Sequence, residues 1–253
     1  LDVYDPAADT WTARAPLPAG REYLGVVAQG DRLYAVGGYN GAPSGEADVY
    51  DPAADRAQDR ISPPIQFRTL DVANRDDVNR FFHWATTTLG HIDMLVNSAG
   101  TNIVKRSVAE LEPADWDKLL AVNATGAYNC IHAVLPQMRE RRDGLIVNIS
   151  SVAGVRASVL GGVAYTASKF ALTSMSHVMA LEEKDHGIRI TNVHPGEVET
   201  PLLDARPVPV PPEHRAKILQ PEDVAAMVLA IACLPPRAHV SDILIKPTTQ
   251  PFS

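Results

Sequence analysis

Leu-Ile-Val-Asn-Ile at residues 145–149 leads into Ser150-Ser151, and Tyr165-Thr-Ala-Ser-Lys169 stands near the start of a helical pattern that runs from Ala164 to His186. The first run is short and apolar, as in a strand buried on both faces of a sheet. A second run of this kind, Ile188–Val193, follows the helical pattern. A strand, a helix and a strand in this order predict one unit of a parallel sheet.

The same rhythm continues on both sides of this unit. Further strands are predicted at Ile65–Leu70, Ile92–Val96 and Asp242–Ile245, and further helices at Arg75–Leu89, Asp115–Arg141 and Glu222–Leu234. The helical segments are recognised by apolar residues that recur on one face. Five strands that alternate with four helices predict an α/β fold with a doubly wound parallel sheet.

The composition limits the classes of partner. The chain has 253 residues and a formal net charge of -7, with 45% hydrophobic and 21% charged residues, as is ordinary for a globular protein. A mildly acidic chain has no broad attraction for nucleic acid or anionic membranes, so neither is expected as a partner. No Cys/His cluster has metal-ligand spacing, so no metal site is predicted. With no membrane-length apolar run and no signal peptide at its start, a cytoplasmic protein is expected.

The first part of the chain has a different character. Asp-Val-Tyr-Asp-Pro-Ala-Ala-Asp occurs at residues 2–9 and again at residues 48–55. Between the copies, Gly25–Gln29 and Arg32–Gly37 are short β-rich runs that predict a hairpin. The segment resembles one kelch repeat, the four-stranded blade of a β-propeller, in the repeated element, Trp11 and Gly37-Gly38. One blade does not bury both of its faces, and propellers therefore need several.

These two characters divide the chain into three parts. We predict a kelch-like β segment at residues 1–55 and an α/β region at residues 65–253. Between them, residues 56–64 form a polar junction that ends in Ser62-Pro63-Pro64.

Polar side chains follow the predicted strands at the point where each strand ends. In open parallel sheets, ligands bind outside the carboxyl ends of the strands. The clusters that fall there are Asp71, Asn97–Gly100, Ser150-Ser151 and His194–Thr200. A ligand crevice is therefore predicted along this edge. His194 is interpreted as a loop residue and not as a ligand.

Tyr165 and Lys169 are four residues apart at the start of a predicted helix, so they share a face. An ordinary tyrosine has a pKa of about 10 and is a poor acid or base near neutrality. A neighbouring ammonium favours the phenolate and lowers that pKa. Such a pair moves a proton to or from a carbonyl or alcohol oxygen, although Tyr-x-x-x-Lys also occurs by chance on many surface helices.

The surrounding stretches make this pair specific. Residues 65–249 resemble the short-chain dehydrogenase/reductase family in Leu70-Asp71-Val72, Asn97-Ser98-Ala99-Gly100, Val122-Asn123, Ile149-Ser150-Ser151, Tyr165-Thr-Ala-Ser-Lys169 and Pro195-Gly196 leading to Thr200. Ser98 departs from the family, which often has asparagine there. The resemblance implies an oxidoreductase that interconverts a small carbonyl and an alcohol with NAD or NADP, NADP being slightly favoured. It also implies a homodimer or homotetramer through the helices around Asn123–Met138 and Ala164–His186.

The resemblance further implies roles for single residues. Tyr165 would be the general acid/base, Ser151 would polarise the substrate carbonyl, Lys169 would lower the tyrosine pKa and hydrogen-bond the nicotinamide ribose, and Asn123 would hold a water that links Lys169 to solvent. Ser150 competes with Ser151, which is preferred because Val-Ala-Gly follows it. The implied cofactor contacts are Asp71 and Val72 at the adenine, Asn97, Ser98, Ala99 and Gly100 at the adenosine ribose, and Val198 and Thr200 at the carboxamide, with Pro195 and Gly196 in the same set.

One part of the family pattern is absent from this sequence. The family begins with a strand, Thr-Gly-x-x-x-Gly-x-Gly and a helix, and these glycines let the backbone approach the cofactor pyrophosphate. Gly37, Gly41 and Gly45 are no substitute, because their spacing is wrong and Pro43 disfavours the required helix. We therefore expect a Rossmann-like parallel sheet without its first two strands, with Ile92–Val96 as an unpaired edge and with weak or absent cofactor binding.

Three functions stay open at this point. The first is an NAD(P)-dependent oxidoreductase, favoured by the set Asn123, Ser151, Tyr165 and Lys169. The second is a kelch-type binding module, favoured by the repeated octapeptide. The third is a recombined chain whose dehydrogenase part is inactive, favoured by the abrupt change near Arg56.

Overall fold

The computed structural model describes residues 68–250 in full, and before them it describes the backbone of five short strands. These strands are β1 (Asp2–Asp5), β2 (Thr10–Ala13), β3 (Gly25–Gln29), β4 (Arg32–Val36) and β5 (Ala47–Tyr50). The strands β1 and β2 pair with each other, and the predicted hairpin forms from β3 and β4. The junction at residues 56–64 and the rest of the kelch-like segment lie outside the described residues, so the domain boundaries stay a prediction.

Helices and strands alternate from residue 75 onward. The α-helices are α1 (Arg75–Leu89), α2 (Pro113–Leu120), α3 (Gly126–Arg141), α4 (Val163–Glu183), α5 (Pro212–Arg215) and α6 (Pro221–Ala232). The strands are β6 (Met94–Asn97), β7 (Gly144–Ile149), β8 (Ile188–Pro195) and β9 (Asp242–Ile245). A π-helical segment, Ala121–Thr125, joins α2 to α3, and 3-10 turns occupy Val152–Gly154, Lys184–His186 and Pro201–Ala205.

One sheet of seven strands organises this part of the chain, in the order β5-β4-β3-β6-β7-β8-β9. The four strands from β6 to β9 are parallel. Because their carboxyl ends share one edge, the segments that follow β6, β7 and β8 are brought together there. The α/β fold with a parallel sheet is confirmed.

The expected unpaired edge at Ile92–Val96 is wrong. Strand β3 pairs with β6 in the antiparallel direction, with Val26 opposite Val96 and Ala28 opposite Met94. The backbone N–H and C=O groups of an edge strand need partners, and a strand of either direction supplies them. Three antiparallel strands, β3, β4 and β5, therefore lie on the side of β6 that was expected to be unpaired.

The predicted strand at Ile65–Leu70 is not found where the structure tests it. Arg68–Leu70 belong to no strand, and residues 65–67 lie outside the described residues. Among the described strands β5 ends this side of the sheet, so the sheet continues through β3–β5 and not through Arg68–Leu70. Leu70 instead packs against the core cluster that contains α1.

Two apolar layers hold the sheet between helices. Alternate side chains of the parallel strands, Leu95, Ile146 and Ile190, point to the layer formed with α1, α3 and α4. Their neighbours Met94, Val96, Leu145, Val147 and Val193 point to the layer formed with α6. This alternation is that of a strand with a period of two, and helices on both faces make the sheet doubly wound. No helix of the described residues is both long and apolar enough to span a membrane.

Candidate active site

The carboxyl end of β7 presents two serines that the structure separates clearly. Ser150 is buried, and its Oγ lies 3.0 Å from Thr173 Oγ1 and donates to the Lys169 carbonyl at 3.4 Å. Ser151 Oγ accepts a hydrogen bond from the Ala153 amide at 3.1 Å, and the Ser151 side chain acts on the Tyr165 phenol to lower its pKa. Ser150 thus ties β7 to α4, whereas Ser151 faces the tyrosine.

Tyr165 and Lys169 lie in the first two turns of α4. Lys169 is 4% exposed, and its Nζ lies 5.7 Å from the centre of the Tyr165 ring. The ammonium donates to the Ile149 carbonyl at the end of β7, at 2.9 Å. This is the single hydrogen bond that Nζ makes within the described residues, so two of its three protons remain for a ligand acceptor such as a ribose hydroxyl.

The electrostatic surroundings act on the two groups in opposite directions. Burial raises the pKa of Tyr165, while the hydrogen bond with Ser151 and the positive charge of Arg106 lower it less strongly. Burial lowers the pKa of Lys169 to about 8. Desolvation disfavours the charged form of each group.

Asn123 lies in the π-helical segment between α2 and α3 and is 1% exposed. Its Oδ1 accepts from the Thr101 amide at 2.7 Å, and its Nδ2 donates to the Thr101 carbonyl at 2.9 Å and to Ser168 Oγ at 3.0 Å. Asn123 therefore joins the loop after β6 to α4. Both amide hydrogens are used, so a water held by this residue has to bind an oxygen of Asn123. Single π turns of this kind recur at functional sites.

The segment Asn97–Gly100 begins at the last residue of β6 and borders the same centre. A Cβ placed on Gly100 would lie 3.5 Å from Lys169 Nζ and 3.6 Å from Asn123 Oδ1, so this backbone lies directly against both. Asn97 Nδ2 donates to Asn148 Oδ1 of β7 at 2.8 Å. Ser98 and Ala99 are half-buried in the same loop. The glycine and the spare ammonium protons suit a ribose of the implied cofactor.

Asp71 and Val72 precede α1. The Asp71 Oδ1 atom accepts from the Ala73 amide at 3.0 Å, and Asp71 as a whole is exposed. Val72 accepts at its carbonyl from Asn129 Nδ2 at 3.0 Å, and its side chain fills the space beside Gly126, where a Cβ would come within 2.6 Å. Val72 is thereby fixed at the start of α3.

The end of β8 and the segment after it contain the remaining predicted residues. Pro195 is buried, and the Gly196 amide donates to the Ile245 carbonyl at 2.7 Å, which fixes this turn to β9. Val198 forms a bridge with Leu219, and Thr200 precedes the 3-10 turn Pro201–Ala205. The structure thus places Ser151, Tyr165, Lys169, Asn123 and Gly100 together, whereas no hydrogen bond joins Val198 or Thr200 to that group within the described residues.

Two residues at this centre escaped the sequence reasoning. Arg106, in the loop before α2, is 8% exposed and carries the charge that acts on Tyr165. His194 belongs to β8 and is buried, so its interpretation as a loop residue is wrong. Its Nδ1 lies 3.2 Å from the Ser151 carbonyl oxygen and its Nε2 lies 2.9 Å from Asp242 Oδ1. The sequence signal that could have identified His194 was its position at the end of a predicted strand.

Asp242 anchors this second network. Its carboxylate also contacts His177 Nε2 at 2.8 Å and accepts from Asn192 Nδ2 at 3.2 Å. Burial raises the pKa of Asp242, but the hydrogen bonds from His194, His177 and Asn192 outweigh burial and hold the pKa below its ordinary value. The network therefore connects β9 and α4 to the backbone of Ser151. Within residues 68–250, no group of three or more His, Cys, Asp and Glu side chains could hold a metal ion.

Known proteins resemble this chain in sequence and in fold. The chain is 30% identical over 199 residues to an uncharacterized oxidoreductase of Staphylococcus saprophyticus, and the match covers 77% of this chain and 80% of that protein. The closed form of serine dehydrogenase complexed with NADP+ superposes with a TM-score of 0.68 at 27% identity, over 79% of this chain and 82% of that one. A metagenomic short-chain oxidoreductase in complex with NADP superposes with a TM-score of 0.62 at 30% identity, over 75% and 76% of the two chains.

Two family models match the sequence. A kelch motif matches residues 20–56, within the part of which only strand backbones are described. The model of the short chain dehydrogenases matches residues 45–208, which is more than half of the chain and contains Asn123, Ser151, Tyr165 and Lys169. The chain therefore belongs to the short chain dehydrogenase family of oxidoreductases.

Proposed function

We propose that this chain is an NADP-dependent oxidoreductase that interconverts a small carbonyl compound and its alcohol, with Tyr165 as the general acid/base. The observation that carries the proposal is the convergence of Ser151, Tyr165 and Lys169 beyond the end of β7. A phenol beside a serine side chain that lowers its pKa, with a buried ammonium 5.7 Å from its ring, is an arrangement for proton transfer at an oxygen atom.

In the reducing direction, the substrate oxygen would lie between Ser151 Oγ and the Tyr165 hydroxyl. Ser151 donates a hydrogen bond that polarises the carbonyl, and Tyr165 gives its proton to the oxygen as negative charge develops there. In the oxidising direction, Tyr165 takes the proton of the alcohol. When bound, the nicotinamide supplies or accepts the hydride at the carbon atom. The identity of the substrate stays open.

Lys169 would hold the ribose next to the nicotinamide, and the adjoining Gly100, which is expected to line the adenosine ribose, leaves its ammonium accessible. The two spare protons of Lys169 Nζ suit ribose hydroxyls, and Gly100 has no side chain to obstruct them. Because the pKa of Lys169 is about 8, its ammonium is present below that pH and is lost as the pH rises through it. The contact would therefore weaken in mildly alkaline solution. The solved relatives in complex with NADP support NADP over NAD.

We further propose that the affinity for this cofactor is weak. The sequence has no Thr-Gly-x-x-x-Gly-x-Gly element, and β3, the strand beside β6, runs in the antiparallel direction. The adenine-side residues Asp71 and Val72 remain, but the pyrophosphate lacks its usual backbone cradle. A kelch-type binding module is the weaker candidate function, because β3–β5 extend the same sheet as the catalytic region.

An oligomer through α3 and α4 also belongs to this proposal. The outer side of α4 exposes an apolar stripe at helical spacing, consisting of Val163, Phe170, Val178 and Leu181, which are 39%, 41%, 53% and 69% exposed. Exposed apolar patches of this kind mark interfaces, and a homodimer or homotetramer that covers it is expected. A cytoplasmic location stays a prediction from the sequence.

The test of the catalytic assignment is Tyr165→Phe, assayed with millimolar NADPH and a panel of small aldehydes and ketones. Removal of the hydroxyl should lower kcat by about 10³-fold, the usual range for loss of a general acid. Tyr128→Phe, which removes a tyrosine hydroxyl on α3 away from Ser151, is the matched control and should retain full turnover. Turnover by Tyr165→Phe equal to that of the unchanged chain would contradict the proposal, and no turnover by the unchanged chain would favour an inactive recombined protein.

A further inference from the structure

Arg106 makes an unusual set of hydrogen bonds for a buried arginine. Its Nε donates to the Ile103 carbonyl at 2.7 Å, its Nη1 donates to the Leu160 carbonyl at 3.0 Å, and its Nη2 donates to the Ala205 carbonyl. All three acceptors are uncharged backbone groups. The planar guanidinium, with five donors in a fixed fork, is suited to hold several acceptors at once, whereas an ammonium is not.

The three carbonyls belong to three separate segments around the reaction centre. Ile103 lies in the loop after β6, which begins with Ser98-Ala99-Gly100. Leu160 lies between Ser151 and the start of α4. Ala205 ends the 3-10 turn Pro201–Ala205, which directly follows Thr200. One side chain therefore fastens together the loops that follow β6, β7 and β8.

The backbone of Arg106 fixes the start of the catalytic helix. Gly162 precedes α4 with φ at 83°, a left-handed conformation that favours glycine. A Cβ at Gly162 would come within 2.6 Å of Arg106 Cβ and 2.7 Å of its carbonyl oxygen. Arg106 and Gly162 are thus in close contact, and Tyr165 lies in the first turn that follows.

The charge of Arg106 is retained against unfavourable surroundings. Burial lowers the pKa of Arg106, the nearby positive charge of Arg206 lowers it further, and Tyr165 raises it. Arg206 is itself paired with Glu197 at 3.2 Å. Among residues 68–250, the groups that act on the Tyr165 phenol are Ser151 and Arg106, and the ammonium of Lys169 on the same helix lies against the ring. A buried guanidinium whose hydrogen bonds go to uncharged carbonyls is costly, so its presence beside the phenol calls for a function.

We propose that Arg106 is a positioning residue of the reaction: its guanidinium fastens the Pro201–Ala205 turn beside Tyr165 and keeps a positive charge next to the phenol. This rests on the proposed function of Tyr165. The turn then forms a wall of the substrate site, and the charge favours the phenolate that takes a proton from the alcohol.

The experiment compares Arg106→Met and Arg106→Lys with a control, Lys105→Met. The control removes the exposed positive charge of the residue directly before Arg106. Two readouts need no cofactor. The first is the absorbance of tyrosinate against pH, with the Tyr165→Phe variant subtracted so that Tyr165 alone is followed. The second is hydrogen exchange of the Leu203 and Arg206 amides, whose hydrogen bonds hold the turn. Steady-state kcat and KM with NADPH are the third readout.

Arg106→Met should move the titration of Tyr165 to higher pH, speed exchange in the turn about 10-fold and lower kcat roughly 10- to 100-fold with less change in KM. Arg106→Lys keeps the charge and loses the fork, so it should leave the titration near that of the unchanged chain while exchange is still faster. This variant keeps the proposal testable if Arg106→Met does not fold. Lys105→Met should change none of the three readouts.

An unchanged titration together with unchanged exchange in both Arg106 variants would overturn the proposal. Equal effects in Lys105→Met would overturn it as well, because they would indicate a general charge effect. If Tyr165→Phe keeps full turnover while Arg106→Met shifts titration and exchange, the catalytic assignment of Tyr165 fails, and only the structural part of the Arg106 proposal remains. The two failures are thereby distinguishable.

Discussion

The two sides of the seven-stranded sheet differ in direction and in what connects their strands. From β6 to β9 the strands are parallel and helices join them, whereas β3, β4 and β5 are antiparallel neighbours that follow one another closely in sequence. Strands on both sides provide hydrogen-bond partners for the backbone N–H and C=O groups of the sheet. Only the parallel side brings the ends of successive strands to one edge, and Ser151, Lys169 and Gly100 meet there. Completing a sheet and building a ligand site are therefore separate requirements.

Direction matters most at the border between the two sides. Because β3 runs against β6, with Val26 opposite Val96, the amino end of β3 lies at the ligand edge. No helix can begin there from the carboxyl end of β3, although a helix beginning at that place is what binds the cofactor phosphates in this family. Strand β4 does end at this edge, but β3 lies between it and β6, so β4 is two strand spacings, about 10 Å, from β6.

The largest expected effect is on the antiparallel side of the sheet, where Val27→Pro should disrupt the pairing of β3 with β6. Val27 pairs with Leu95 of β6, and proline removes a ladder N–H and does not fit the middle of a strand. We expect the free energy of unfolding to fall by roughly 2–4 kcal/mol and the apolar edge of β6 to promote aggregation. Urea unfolding and light scattering measure both. Val27→Thr is the control, because it keeps a β-branched strand residue. Unchanged stability in the proline variant would show that β3 does not pair with β6.

A smaller effect is expected on the parallel side, at the exposed stripe of α4. Phe170→Glu combined with Leu181→Glu places charges on the proposed interface and should shift the sedimentation mass from a dimer or tetramer to a monomer. The free energy of unfolding of the subunit should change by no more than about 0.5 kcal/mol, because these residues are exposed within it. Ser174→Ala, a mild change at an exposed position on the same side of α4, is the control. A monomer in the unchanged chain would contradict the oligomer.

Local motifs made much of the parallel side predictable. Tyr165 and Lys169 are fixed relative to each other by one helix, and Ser151 and Gly100 follow strands whose ends must share an edge. Arg106 and His194 could not be found in this way, because their partners are distant in sequence: Arg106 bonds to Ala205, and His194 to Asp242. The β3–β4 hairpin was likewise predicted from neighbouring residues. Its docking on β6 was missed because it depends on which sheet edge is left open.

The chain retains the reaction centre, but antiparallel strands replace the part of the sheet that would bind the cofactor phosphates. This contrast is tested most directly by titrating NADPH into the unchanged chain and following the fluorescence of the NADPH. With the ribose contacts of Lys169 but without the glycine-rich cradle, we predict a Kd weaker than about 100 µM, which is less than about 5.5 kcal/mol of binding free energy. The signal should weaken further as the pH rises through about 8, where Lys169 loses its proton. Binding with a Kd of a few micromolar at pH 7, for NADPH or for NADH, would contradict the account.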